Sequence, residues 1–308
     1  MNKESVTTAD MLQAQNDSRI IGIVVNDHEK YEGHVLEDGF ISATVNTLSR
    51  EIDKAGYFMM IKTTTELDDI VQFASMWNME GLVIIGFCEQ DYKKLRKCMR
   101  IPFVVYEGYF RKAQKICNLT INNYGGGYQA GKYLKSMGHE KILCISDNDE
   151  GMDSERLKGF SDAMGTLHAD FMQISFSKEE RMRFYQEKME EILGYTAIFA
   201  LSDYYAIEIM NYLQIHGVRV PEDISIMGFD DSPLCNYCSP ALTTVRQGIA
   251  LRAKKAIEVL INLKNGLENS SMMEFPVTII ERESVKDINI YPYKIWIENN
   301  SNSKSRIR

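Results

Sequence analysis

The chain has 308 residues, of which 44% are hydrophobic and 25% charged, with a formal net charge of -8 and a pI near 5.3. That hydrophobic share excludes a disordered polyelectrolyte and suffices for two domains with cores of their own. The surplus of acid over base excludes an extended face for nucleic-acid phosphates, because such affinity rests on clustered Lys and Arg.

Residues 1–18 contain no apolar run of secretory length, so neither a signal peptide nor a membrane anchor is expected and the cytoplasm is the expected compartment. Ile20–Val25 then reads as a strand, Phe40–Ala55 as a helix, Tyr57–Lys62 as a strand and Asp68–Trp77 as a helix, followed by strands Gly81–Ile85 and Phe103–Tyr106. Lys115–Asn123 reads as a crossing between two βα sets. After it come helix Tyr124–Met137, strand Lys141–Ser146, helix Glu155–Met164, strand Asp170–Ser175, helix Glu179–Leu193, strand Ala197–Leu201, helix Tyr204–His216 and strand Ile224–Phe229. A second crossing, Leu242–Gln247, leads into helix Ile249–Lys264, and a third is expected around strand Val277–Ile280 and Glu281–Ser284. The near-continuous apolar strands alternating with helices define an α/β protein: two Rossmann-like lobes with parallel sheets joined by three crossover segments. The expected division is a hinge-like segment 1–18, an N-terminal lobe of 19–118 plus 248–282, a C-terminal lobe of 119–247 plus 283–298, and a frayed tail 299–308.

Several patterns suggest chemistry that the residues do not support. Gly126–Lys132 approaches the phosphate loop G-x-x-x-x-G-K-[ST], but Tyr133 stands where a small hydroxyl must reach magnesium, and the glycines fall inside a predicted helix. Cys235 and Cys238 have the spacing of half a zinc site without a second pair, so no metal and no cofactor are expected. The six cysteines sit in or beside apolar runs and read as small buried hydrophobes. His139 after Gly138 reads as a residue that bonds helix-end carbonyls. No nucleophile elbow or zinc-protease helix is present, and no enzyme activity is expected.

The stretch Glu222–Asp231 ends an apolar run on two adjacent carboxylates, Asp230 and Asp231, at the carboxyl end of a predicted strand, where ligands of open α/β sheets bind. It stands in a series: Gly138-His139, Ser154–Phe160, Ala200–Asp203, Val220–Ser225, Gly228–Asp231 and Leu242–Gln247. These six motifs, in register, closely resemble the effector-binding core of the lactose/galactose repressor (LacI/GalR) family of transcription regulators, from about Arg19 to Val285. The resemblance implies a periplasmic-binding-protein-like type I fold, two lobes closing over a small ligand, usually a sugar, and a homodimer.

Carried onto this sequence, Arg156 matches the arginine that donates paired hydrogen bonds to ligand hydroxyls, and Asp230 the carboxylate that accepts them from the opposite wall. Ser202 stands where the family usually has asparagine, with Asp203 following, and Glu107 stands where an aspartate is common. Phe40 opens a segment matching the aromatic loop after the first strand, and Gln247 matches a crossing residue that can face the cleft. Among aromatics near loop ends, Tyr106 can pack on a sugar's C–H surface. The loop Asp27–Asp38 reads equally as a lid over the ligand or as a solvated surface loop. Near the start, Leu12 matches the leucine that wedges into the DNA minor groove, although Asp10 occupies the place of an arginine. Operator DNA is therefore a partner only where a helix-turn-helix headpiece precedes this chain. The implied function is a ligand-sensing regulatory core. A solute-binding receptor for sugar uptake on the same fold, or a Rossmann-like nucleotide or sugar-phosphate enzyme, are the alternatives.

Overall fold

The computed structural model describes residues 17–27, 34–106, 108, 117–267 and 272–289. Two compact units emerge, each discontinuous in sequence: 1–121 with 248–275, and 122–247 with 276–308.

The first unit is built on the sheet β11-β5-β4-β3-β1-β2, parallel throughout. Its strands are β1 (Ile20–Val25), β2 (Phe58–Thr63), β3 (Gly81–Ile85), β4 (Phe103–Tyr106), β5 (Cys117–Ile121) and β11 (Met272–Phe275). Helices α1 (Gly39–Lys54), α2 (Leu67–Met76), α3 (Glu89–Cys98) and α8 (Ile249–Lys264) belong to the same unit. Asp38 starts α1 by accepting from the Phe40 and Ile41 amides, each at 2.9 Å. Ile70, Phe73, Leu82, Ile84, Tyr92, Leu95 and Phe103 close one side of the core.

The second unit carries β6 (Lys141–Ser146), β7 (His168–Gln173), β8 (Ala197–Ala200), β9 (Ser225–Asp230), β10 (Thr243–Arg246) and β12 (Thr278–Ile280) in the order β12-β10-β9-β8-β6-β7. All neighbours are parallel except β12 on β10. Its helices are α4 (Asn123–Ser136), α5 (Gly151–Met164), α6 (Lys178–Ile192) and α7 (Asp203–Ile215). Leu143, Ile145, Ile198, Ile209, Leu213, Ile224 and Ile226 lie in its core. The strand order reverses between β6 and β8, and the crevice beyond their carboxyl ends is where such a sheet takes a ligand.

The expected elements need correction in five places. Lys115–Asn123 is a strand for most of its length: β5 adds to the first sheet before the chain crosses, so the boundary falls after Ile121 rather than at 118. Leu242–Gln247 is also a strand, β10, and the crossing follows it. The third boundary lies at 275/276 rather than 282/283, because β12 pairs with β10 of the second sheet. Helix α3 shows little apolar periodicity because six of the ten residues of Glu89–Cys98 are charged and only Tyr92 and Leu95 are buried. β11 shows none because its burial does not alternate cleanly.

The cysteines divide. Cys117, Cys144 and Cys235 are buried, while Cys88, just before α3, and Cys98, its last residue, are exposed. His139 is buried, and while its backbone amide donates to the helix-end carbonyl of Leu134 (3.1 Å), its imidazole bridges Thr196 (3.0 Å) and the Lys286 carbonyl (3.1 Å). Of the loop Asp27–Asp38, residues 28–33 lie outside the described residues, and Val35–Glu37 form a 3-10 turn.

The glycine run in α4 has a packing cause. A Cβ at Gly127 would fall inside the Arg156 carbonyl of α5, one at Gly159 inside the Tyr124 carbonyl of α4, and one at Gly131 would crowd Ala163 and the Phe160 carbonyl. The two helices therefore approach backbone to backbone. Gly127→Ala is expected to destabilise the protein by about 3 kcal/mol, lowering the thermal midpoint by roughly 5–10 °C, because backbone cannot step aside as a flexible side chain can. A melting curve superimposable on wild type would show that the helices separate freely.

Candidate functional site

The site grows from the carboxyl ends of the second unit's strands. Arg156, on the second turn of α5, is 6% exposed. Its Nε donates to Asn123 Oδ1 (2.9 Å) at the start of α4 and its Nη1 to the Leu201 carbonyl (2.6 Å) just past β8. Asp153 lies 3.5 Å from the same nitrogen. The guanidinium lies over the Phe229 ring, 3.8 Å from its centroid. Phe229 precedes Asp230, whose Oδ1 accepts a short hydrogen bond from Gln247 Nε2. Arg156, Asp230 and Gln247 are thus brought to one end of one sheet. Arg156 of α5 and Asp230 of β9 belong to the same unit.

Asp230 and Asp231 have φ of 127° and 58°, conformations that cost energy for residues with a side chain and persist only where their surroundings hold them. The holding groups are visible. Asp231 receives Arg246 Nε at 2.5 Å and Arg282 Nη2 at 2.6 Å, and Arg282 also donates to the Leu242 carbonyl (2.8 Å). On the other side, Asp203 is buried beneath the turn. Its Oδ1 accepts from Thr244 Oγ1 (2.5 Å), and its Oδ2 from the Ser232 amide (2.7 Å) and Cys235 Sγ (3.0 Å).

Ser202 is the N-cap of α7, accepting from the Tyr205 amide at 3.4 Å. Ser202 and Asp203, expected as ligand contacts, therefore have structural engagements of their own. The Cys235/Cys238 spacing is likewise accounted for: Cys235 Sγ is spent on Asp203, and Cys238 Sγ donates to the Cys235 carbonyl at 3.3 Å. Among the described residues no group of three or more His, Cys, Asp or Glu is placed to hold a metal ion, and no helix is long and apolar enough to cross a membrane.

In the first unit, Phe40 is 7% exposed and Tyr106 fully buried. Both face the buried Arg252 guanidinium of α8, at 6.0 and 4.2 Å from its centre. Glu107 and Leu12 lie outside the described residues.

Three residues of this chemistry were not among the expected site residues. Asn123 holds Arg156 from a helix start, and Arg252 hides within a stripe of apolar α8 residues. Asp147 follows β6 as Asp230 ends β9, the same signal of a carboxylate closing an apolar run, and accepts from Tyr205 Oη at 2.5 Å and Asn148 Nδ2 at 2.5 Å.

The periplasmic binding protein-like domain matches residues 132–285, half of the chain. The chain belongs to this family. Within it, the chain stands with the LacI-type regulators, as the resemblance of its motifs implied. It is 28% identical over 289 residues to the HTH-type transcriptional repressor PurR of Vibrio atlanticus (strain LGP32), covering 89% of this chain and 83% of that protein. To the ribose operon repressor of Haemophilus influenzae it is 29% identical over 282 residues, covering 87% and 82%. The solved periplasmic binding protein/LacI transcriptional regulator of Alkaliphilus metalliredigens QYMF, complexed with D-xylulofuranose, superposes with a TM-score of 0.75 at 26% identity, covering 87% of this chain and 99% of that one. The family's type I fold is the one described above.

Burial raises the Asp203 carboxyl from its ordinary 3.8 to about 6, against its three hydrogen-bond donors, and the neighbouring Asp231 charge pushes the same way. The folded protein thus keeps this proton up to about pH 6, whereas the unfolded chain releases it near 3.8. Stability contributed by the protonated form is present at pH 4 and is lost as the pH rises toward 6. In urea titrations, the advantage of wild type over Asp203→Asn is expected to be largest at pH 4 and to shrink by pH 6.5. A difference constant across that window would show that burial leaves this carboxyl unshifted.

Proposed function

We propose that this chain is the ligand-sensing core of a LacI-type transcriptional regulator whose effector is a small sugar or polyol. The observation that carries the reading is the convergence of Arg156, Asp230 and Gln247 at the strand ends of the second sheet. A guanidinium donates in a fixed fork and a carboxylate accepts at two oxygens, and adjacent hydroxyls of one ring need both. The Phe229 face held beneath Arg156 keeps that fork in one plane. Support also comes from the relatives, a ribose operon repressor among them, and from the D-xylulofuranose held by the Alkaliphilus regulator.

In this reading Arg156, Asp230 and Gln247 touch the ligand, while Asp203 and Ser202 shape the turn and helix beside it. Phe40, Tyr106 and Glu107 remain contacts that the family resemblance assigns. The protein binds rather than transforms its ligand, works in the cytoplasm as a homodimer, and reaches operator DNA where a headpiece precedes it, with Leu12 as the hinge wedge. Regulation requires the ligand to prefer one arrangement of the protein. A coupling of about 1–3 kcal/mol alters DNA affinity roughly 5- to 150-fold.

Thermal melting against D-ribose, D-xylulose and cellobiose tests the reading. A ligand at about 100 times its Kd adds roughly 2.7 kcal/mol to wild-type stability. Arg156→Lys, which loses the planar fork, and Asp230→Asn, which loses the charge, are expected to abolish that increment while still unfolding cooperatively. An undiminished increment in both variants would remove the two residues from the site.

A further inference from the structure

The first unit has a second concave site, at the opposite end of its sheet from the carboxyl ends of the strands. A half-open cavity of about 300 Å³ is lined by Phe103, the first residue of β4, with Pro102 and Leu263 as further apolar neighbours and Arg96, Arg100 and Lys264 as charged ones. Three cations meet here in a chain whose net charge is -8. Arg96 and Arg100, on the last turn of α3 and just beyond it, have no carboxylate partner among the described residues. Lys264 is already engaged: it pairs with Glu80, approaches Asp17 to 3.8 Å, and donates to Tyr57 Oη at 3.4 Å. The volume is at the small end of the range for small-molecule pockets. Two guanidiniums without acidic partners, in a cavity with apolar lining, fit an oxyanion carried on an apolar body.

We propose that this cavity is a second ligand site, for a small organic phosphate, with Arg96 and Arg100 holding the phosphate and Pro102, Phe103 and Leu263 receiving the apolar part. Lys264 makes the site consequential. Glu80, its carboxylate partner, also accepts from the Arg19 amide at 2.8 Å, immediately before β1. An anion that draws Lys264 toward the cavity loosens the ties that fix the start of the first sheet, so occupancy is felt where the chain enters that sheet. The site shares no residue with Arg156, Asp230 or Gln247, and the proposal stands independently of the sugar reading.

Isothermal titration of the full chain with phenyl phosphate, inorganic phosphate and benzyl alcohol is the test. Phenyl phosphate is expected to bind saturably, inorganic phosphate at least tenfold more weakly, and neutral benzyl alcohol not at all. The double variant Arg96→Gln/Arg100→Gln, altered only at exposed positions, is expected to lose at least tenfold in phenyl phosphate affinity with an unchanged melting temperature. Arg156→Lys is expected to bind phenyl phosphate as wild type does. Absence of saturable phenyl phosphate binding, or equal affinity in the double variant, would overturn the site. Equal binding of phenyl and inorganic phosphate would overturn the role of the apolar lining, and loss of phenyl phosphate binding in Arg156→Lys would move the ligand to the strand-end site.

Discussion

The arrangement at the strand ends depends on one buried carboxylate. Asp203 ties the stretch that follows β9 to β10: it accepts from the Ser232 amide and from Cys235 in the 3-10 turn after β9, and from Thr244 within β10. Gly228 is part of the same device, because a Cβ there would overlap Asp203 Oδ1. A carboxylate out of water is costly unless its lone pairs find donors, and here three donors offset part of that cost. The result is a fixed turn on which Asp230 is held in a backbone conformation it would not choose alone. Arg246 and Arg282 brace it from the outer side through Asp231.

The glycines of α4 serve the same end. Gly127 and Gly131 admit α5, while Gly126 leaves room for the Phe229 ring, against which a Cβ would collide. Phe229 is thus enclosed between a bare stretch of helix and the Arg156 guanidinium. A run that mimics a phosphate loop in the sequence is the seat of the aromatic that orients the arginine. Asn122 and Asn123 divide the remaining work at that helix start, the first capping it through the Gly125 amide (2.6 Å), the second accepting from Arg156.

Most of the fold was legible because buried parallel strands announce themselves as apolar runs, as Ile142–Ile145 and Ile224–Phe229 do. Two of the strands that went unread, β5 and β10, carry polar residues for tertiary reasons. Asn118 lies buried in β5, where its amide reaches the Gly108 carbonyl at 2.8 Å, and Thr243 and Thr244 lie buried in β10, where both hydroxyls are bonded. Arg156 and Asp230 were legible through motif order, while the Phe229 ring that lies against the guanidinium was not, since that contact depends on how α5 packs over β9. Asp203 reads in sequence like any acid at a helix start. Only the fold shows both of its oxygens occupied from Ser232, Cys235 and Thr244.

Buried guanidiniums recur across both units with the same solution. Arg156 lies on Phe229, Arg252 on Tyr106 and Arg181 beside Tyr204 and Tyr205, with centre-to-centroid distances of 3.8, 4.2 and 5.3–5.5 Å. Removing a cation from water is tolerable for arginine because its charge is delocalised and weakly hydrated, its faces accept aromatic contact, and its edge offers five donors. Arg181 shows the edge in full use, with Glu208 bound by two nitrogens at 2.6 and 2.9 Å and two backbone carbonyls taken by the third. Lysine could supply the charge at these positions but neither the flat face nor the fork. Where the ring is close, as at Arg156 and Arg252, it restrains the plane of the guanidinium, and the plane fixes where the remaining donors aim. At Arg156 that direction is set by Phe229, so the aromatic residue beside Asp230 governs the aim of the arginine as closely as the backbone governs the aim of the acid.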